Sequence, residues 1–476
     1  MTGKKAVCIH GHFYQPPRED PLTGEIPLER GAAPFENWNE KIYAHCYEPN
    51  AAEGNFGRVS FNIGPTLNLW LEEKHPEFFT PVIQADQENV RRNGVGNAIA
   101  QAYNHTILPL ASDYDKVTQV RWGIDEFECR FGRKPQGMWL PETGADLKSL
   151  QVLADHGLEF TILAPWQADS ENLDVSKPYW VQLPDGKRFT VFFYDAELSM
   201  RVSFDPGATR NADGFAINYV QPRFFNGPEK SQKDQLYMIA SDGELYGHHQ
   251  RFRDKFLQYL TSESFDNLGI EVTYPALWLK NHPAVDEIRI RENTSWSCHH
   301  GVMRWKGVCG CAAHGDWKAY LRNAFDALSV ELDDLYTSAL APYTQDAWEL
   351  RHRYSRVLCQ KQSLDDFVRA ELGGGLTQVE SERIHLLLRA QYERQRMYTS
   401  CGWFFDDFDR IEPANNVAYA AQAIWLTYQA TQVDLSEKAR GYLRAVQSWR
   451  TGLRADVVFD ERLQRARSGS PISEKA

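Results

Sequence analysis

LYMIASDGE (236–244) is a short apolar run that ends abruptly in polar and turn residues. Six earlier runs share its design: AVCIHGH (6–12), RVSFNIGP (58–65), HTILPL (105–110), GMWLPE (137–142), FTILAP (160–165) and FTVFFYD (189–195). Each is followed by a segment that can be helical. Continuous apolar strands alternating with helices are what a parallel sheet covered on both faces requires, and right-handed crossovers of this kind close into a barrel or open into a doubly wound sheet. Seven repeats without a glycine-rich phosphate loop favour the barrel. The expected fold class is therefore α/β, an incomplete seven-stranded (β/α) barrel over residues 1–280, followed by a C-terminal α-helical bundle. SLQVLADHG (149–157) and DKVTQVRWGIDEFECRFG (115–132) are helix signals between the strands, each closed by a glycine.

Beyond residue 280 the pattern changes to long helical stretches, among them DWKAYLRNAFDALSVELDDLYTSAL (316–340), TQDAWELRHRYSRVLCQKQSLDDFVRAEL (344–372), ESERIHLLLRAQYERQRMYTS (380–400) and a final pair from about 414 to 453. The bundle is placed at 316–465, with a frayed tail at 466–476. Between barrel and bundle, 281–315 reads as an irregular loop region. Its core, ENTSWSCHHGVMRWKGVCGCAAHG (292–315), is rich in Trp, Cys, His and Gly and has no period; loops this long are usually functional or disordered.

The chain has 476 residues, 42% of them hydrophobic and 24% charged, so neither core size nor disorder is an issue. A net charge of −12 argues against a nucleic-acid or anionic-membrane partner, which would want a basic field. The apolar run near the N-terminus is broken at His10, which leaves no signal-peptide core, and no stretch reaches the roughly 18 apolar residues of a membrane span. A cytoplasmic location is expected. In that compartment eight cysteines read as thiols or metal ligands before disulfides.

Reacting groups of a parallel barrel sit at the C-terminal ends of its strands. Four acids stand there: Glu142, Asp195, Glu197 and Asp242. Met138, Leu140 and Glu142 share one face of their strand, as do Met238, Ala240 and Asp242. A lone strand-end acid is more often a helix cap or a salt-bridge partner, and several converging on one mouth weaken that reading. His10 and His12, at i and i+2, point the same way from the first strand. They fit substrate hydroxyl contacts, a metal site or an internal polar network, although HGHFYQPP offers no carboxylate as a third ligand.

Together these residues resemble glycoside hydrolase family 57. His10-Gly11-His12 with Gln15 and Pro16 match that family's first strand, Trp139-Leu140-Pro141-Glu142 match a strand ending in the nucleophile, and Asp242-Gly243-Glu244-Leu245-Tyr246-Gly247 match one ending in the general acid/base. The order and spacing agree across residues 6–250. The resemblance implies a retaining enzyme acting on an α-linked glucan, with an oligo- or polysaccharide as partner and no cofactor. In it Glu142 attacks and Asp242 shuttles the proton. A helical region completes the site. The second half is similar to a bacterial subgroup in which SWSCHHGVMRWKGVCGC (295–311) and TSCGWFFDD (399–407) recur, and there it differs from the amylase, glucanotransferase and branching members.

On this footing His10, His12 and Gln15 become sugar-hydroxyl ligands. Trp139, Trp166, Trp296 and Trp403 are candidate stacking or lining residues, with plain core packing the alternative for Trp403. Asp195, Glu244, Tyr246, His248 and Asp406 are further candidate substrate contacts; for Asp406 a solvated helix face competes. Glucanotransferase and branching activities need the same carboxylate pair, and a metal-dependent polysaccharide deacetylase or a binding protein on an inactive scaffold are the readings from other classes. No metal is expected. Cys298, Cys309, Cys311 and Cys401, near His299, His300 and His314, have the chemistry for zinc or an iron–sulfur cluster, but their spacing is not that of common metal knuckles, and reduced packing thiols are the first reading.

Overall fold

The computed structural model describes residues 3–225 and 233–468. They form two compact units, one made of the residues up to Gln15, Leu28–Gln101 and Phe127–Trp296, the other of Pro16–Pro27, Ala102–Glu126 and the residues from Ser297 onward. The sequence led us to expect a linear division near 280 and 315. The structure instead gives two early segments, 16–27 and 102–126, to the second unit, and it divides the irregular loop region between Trp296 and Ser297. Residues 469–476 of the expected tail lie outside the described residues. No helix among the described residues is long and apolar enough to cross a membrane.

The first unit is built on parallel strands. β1 (Lys5–Phe13) lies between β2 (Ser60–Ile63) and β8 (Gln235–Asp242), parallel to both, and its first residues also pair with β9 (Glu271–Val272). A parallel bridge from Phe61 to Ala98 leads to β3 (Ala100–Gln101), which pairs with β4 (Met138–Trp139). Another bridge, Gly137 to Phe160, leads to β5 (Phe160–Leu163), which pairs with β7 (Arg188–Phe193). The Asp195 N–H beyond β7 donates to the Met238 carbonyl of β8 at 2.8 Å. Among the strands of the described residues, only β6 (Tyr179–Gln182) runs antiparallel, against β7. The strands of this path are buried almost throughout. Ala6, Cys8, Trp139, Ile162, Phe192, Met238 and Ala240 form one core among them.

One strand expectation fails. HTILPL (105–110) is not in the sheet: Leu108–Leu110 is a 3-10 turn and the segment belongs to the second unit. Pro109 has no N–H for a ladder and His105 has a left-handed backbone (φ 55°), so the run cannot pair as a strand. The neighbouring residues Ala100–Gln101 take that place. β6 and β9 carried no clear signal in the sequence.

The second unit is helical. Ile411–Thr431 is buried nearly all round and packs against Gln378–Arg396 and Ala455–Arg467. Its small residues Ala418, Ala420, Ala421 and Ala423 let neighbours approach closely, and a helix with apolar residues on every side belongs in an interior. Asp316–Leu340 matches its predicted span. The stretch expected at 344–372 is divided into Ala347–Arg353, Ser355–Leu358 and Leu364–Leu372, with Gln360 left-handed and Ser363 capping the last piece.

Candidate active site

The site of the first unit follows from strand register. His10 stands beside Ser60 and Ala240, and His12 beside Asn62 and Asp242. In-register residues of parallel strands point to the same face, so the two histidines, Ser60, Asn62 and Asp242 share one. Their hydrogen bonds fit a single assignment. The Ser60 hydroxyl donates to His10 Nδ1 (2.9 Å), His10 Nε2–H donates to Asn62 Oδ1 (3.2 Å), and Asn62 Nδ2 donates both to His12 Nδ1 (2.9 Å) and to Gln101 Oε1 (2.8 Å). Both rings stack on Trp139, with centroids 4.8 and 5.1 Å away. Burial pushes both imidazoles down to a pKa of about 3, and they stay neutral at ordinary pH. With both nitrogens of His10 engaged by Ser60 and Asn62, the pair forms an internal polar network.

Glu142 follows β4 on a tight turn, at φ 56° and ψ 21°. That left-handed conformation is rare for a residue with a Cβ and marks a position the surroundings dictate. Trp296 holds it from two sides, its backbone N–H donating to the Glu142 carbonyl (3.0 Å) and its indole N–H to Oε2 of the carboxylate (3.0 Å). Asp242 ends β8 with its carboxyl open to solvent on one side. The protein packed around it removes hydration, and the charges of Glu244 and Glu142 add to the effect, so its pKa is pushed up to about 8. Glu244, two residues further on, is buried. Its Oε1 accepts from the Tyr47 hydroxyl (2.7 Å) and the Tyr14 N–H (3.1 Å), and burial lifts its pKa to about 7 against those donors.

A carboxylate held by an indole on one strand end and a protonated carboxyl on another, over a wall of neutral histidines, is an arrangement suited to acid/base and nucleophilic work on a neutral substrate. Comparisons point the same way. Residues 26–291 match the family model described as "Glycosyl hydrolase family 57". The chain belongs to glycosyl hydrolase family 57. Residues 314–466 match a second model, "Domain of unknown function (DUF3536)". Alpha-amylase 1 of Dictyoglomus thermophilum is 27% identical over 193 residues, 40% of this chain; the match spans only 26% of that relative's length. Among solved structures, the exo-type maltose-forming amylase of Pyrococcus sp. ST04 superposes with a TM-score of 0.76 at 18% identity, over 96% of this chain and 88% of its own. The branching enzyme of Thermococcus kodakaraensis does so with a TM-score of 0.60 at 15% identity, over 99% and 97%. At these identities the likeness is one of fold, α/β and barrel-like with a helical C-terminal region.

Around the carboxylates, the family 57 chain places the other expected residues unevenly. Trp166 is 38% exposed, with its indole N–H on the Ser295 carbonyl (2.9 Å), and offers a face to solvent. Trp296 is half-buried. Trp139, expected as a stacking platform, is fully buried under the two histidines and has no face left for a ring. Tyr246 is buried likewise, with its hydroxyl near Ser241. Gln15, half-buried, accepts Thr66 Oγ1 on its backbone carbonyl, and its side chain bonds Glu244 and Tyr47. Asp195 caps helix Ala196–Phe204 through the Leu198 N–H (2.9 Å) and faces Arg223 at 3.5 Å, the cap reading of a strand-end acid; burial nevertheless raises its pKa. Glu197 is tied to Arg201 and Arg223. His248 is half-buried among Trp38, His45 and His249, and burial with its histidine neighbours lowers it to about 4.

Trp403 and Asp406 lie in the helical unit. Trp403 is 1% exposed, donates its indole N–H to the Lys318 carbonyl and packs on Tyr398 and Phe325, so it is a core residue there; Asp406 is exposed. Sequence reasoning missed Ser60, Asn62, Gln101 and Tyr47. The signal available was SFNI (60–63), where two polar residues alternate with Phe61 and Ile63 in an otherwise apolar strand.

Proposed function

We propose that this chain is a retaining enzyme acting on α-linked glucan, with Glu142 as nucleophile and Asp242 as general acid/base at the mouth of a barrel of seven parallel strands, β1 to β5 with β7 and β8. The observation that carries the proposal is the unequal pair of carboxyls. The protein packed around Asp242 and the neighbouring charges of Glu244 and Glu142 push its pKa up to about 8 and favour its acid form near neutrality, while an indole N–H donates to Glu142. The named relatives, an alpha-amylase, a maltose-forming amylase and a branching enzyme, support the substrate class.

In the first half of the reaction a Glu142 oxygen bonds to the anomeric carbon as the glycosidic bond breaks, and Asp242 gives its proton to the departing oxygen. In the second half Asp242 takes a proton from water, the resulting hydroxide attacks the anomeric carbon, and Glu142 is released. Retaining enzymes hold such carboxyls roughly 5 to 5.5 Å apart. Trp166 supplies the exposed aromatic face for a sugar ring. If a sugar hydroxyl takes the place of water, the same intermediate yields transfer or branching, the second reading, favoured by the branching-enzyme neighbour.

The test is a product screen of wild type, Glu142→Gln and Asp242→Asn on maltooligosaccharides, amylose, amylopectin and α-galactosides, reading reducing ends, chain-length redistribution, α-1,6 branches and the first-formed anomer. Retention of the α-anomer is expected from wild type, with a loss of roughly 10²–10⁴-fold in Asp242→Asn and at least as much in Glu142→Gln at unchanged fold. An inverted product, or full activity in either variant, overturns the assignment.

A further inference from the structure

The segment from Ser297 to Gly315 takes no part in the chemistry above, yet four of its side chains converge on one point. Cys298 Sγ lies 3.4 Å from Cys309 Sγ and 3.7 Å from Cys311 Sγ, and His300 Nδ1 lies 3.3 Å from Cys309 Sγ and 3.4 Å from Cys311 Sγ. All four donor atoms lie within 4.8 Å of one another. Zinc bonds of about 2.3 Å to sulfur and about 2.0 Å to nitrogen, set tetrahedrally, put neighbouring sulfurs about 3.8 Å apart and sulfur and nitrogen about 3.5 Å apart. We propose that Cys298, His300, Cys309 and Cys311 bind one zinc ion in a closed, structural Cys3His site.

The donor set decides among the alternatives. A disulfide would join two of the sulfurs at about 2.05 Å and leave the third thiol and the imidazole crowded against it with no role. An iron–sulfur cluster needs ligands spread around several irons, whereas these four meet at one centre. Three thiolates and an imidazole are soft and borderline ligands of the kind zinc takes, and four protein donors leave no open position for a substrate. Neither Cys401 nor His314 is among the converging donors, and His314 stacks on Trp449 at 4.6 Å.

The setting explains what an ion would do. The segment contains one helical turn, Met303–Trp305, and little other regular structure. Cys298, Val302, Trp305 and Cys309 are buried in the core of the helical unit with Trp317 and Leu321, while His300 and Cys311 lie at its surface. The ion would clip the outer edge of the loop to its buried edge.

The full chain, purified without added metal or chelator and without a histidine tag, is expected to carry one zinc per chain by elemental analysis. Cobalt(II) exchanged into the reduced protein should give thiolate charge-transfer and tetrahedral d–d bands. Cys311→Ser and His300→Ala, changes at the surface, should lose most of the zinc and the tetrahedral spectrum, while Cys401→Ser keeps both. A chelator should lower the Tm of wild type and leave that of Cys311→Ser unmoved. Near-zero zinc in reduced protein that also takes up no cobalt overturns the proposal, as does zinc retained in full by both ligand variants.

Discussion

Glu142 is held in its left-handed turn by its neighbours rather than by its own preference, which runs against that conformation by roughly 1–2 kcal/mol. The next residue, Thr143, is left-handed too, and Gln167 fixes it by accepting its hydroxyl and donating to its carbonyl, both at 2.8 Å. The turn thus aims the carboxylate at the Trp296 indole. Trp296→Phe keeps an aromatic ring but removes that donor. A hydrogen bond to a charged group is worth about 1.5–3 kcal/mol, so kcat/KM should fall by roughly 10- to 100-fold while Tm changes little. Equal activity in the variant would show that the indole does not serve the carboxylate.

Asp242 makes a second prediction at this scale. Its folded pKa lies above the ordinary carboxylate value, so its acid form is present below about 8, and activity should fall as pH rises through that value. Glu244 contributes to the elevation by its charge, so Glu244→Gln should move the alkaline limb of the kcat/KM profile to lower pH. A limb that stays in place would remove Glu244 from this role. The sign for stability is the same: a raised acid favours the fold below its unfolded pKa, and that contribution disappears as pH rises through about 8. Asp242→Asn should therefore melt higher than wild type in alkaline buffer.

At the scale of elements, one register aligns His12 with both Asn62 and Asp242, and Asn62 is the joint of that network. Asn62→Leu would leave His10 Nε2, His12 Nδ1 and Gln101 Oε1 without their partner. Unsatisfied buried groups cost about 1–3 kcal/mol each, and a net loss of about 3 kcal/mol, read from urea unfolding, is the expectation. That two histidines share a face was legible from their i, i+2 spacing. That Asn62 binds both was not, because the polar residues of a four-residue strand do not say which strand lies beside it. Six of the seven strand runs were legible because their apolar residues had to be buried. The seventh was not, since Ala100–Gln101 is too short to show a period and HTILPL, with its stronger apolar pattern, drew the reading away. The tryptophans show the same limit. Trp139, Trp166 and Trp403 look alike in sequence, and only long-range packing leaves Trp166 a free face.

At the scale of the molecule, the chain order 102–126 and then 297 onward is tied together inside the helical unit by buried charge. Arg394 pairs with Asp115 (2.6 Å) and Asp333 (2.7 Å), and Arg351 reaches Asp115 at 3.0 Å. Burial works against the charge on Asp115, but Arg394 and Arg351 overcome it and hold its carboxyl well below the usual carboxylate range. Arg394→Met leaves two acids facing each other with one guanidinium short. Removing one partner of a buried ion pair typically costs about 3–5 kcal/mol, and that loss is expected here at neutral pH. The pH dependence distinguishes a charge effect from lost packing. A depressed acid contributes stability above its unfolded pKa and loses it as pH falls through its folded pKa. The gap between wild type and Arg394→Met should therefore be widest near neutrality and narrow as the buffer is taken below the ordinary carboxylate range. A gap that stays constant with pH would assign the loss to the missing side-chain volume instead of to the charge that joins these distant segments.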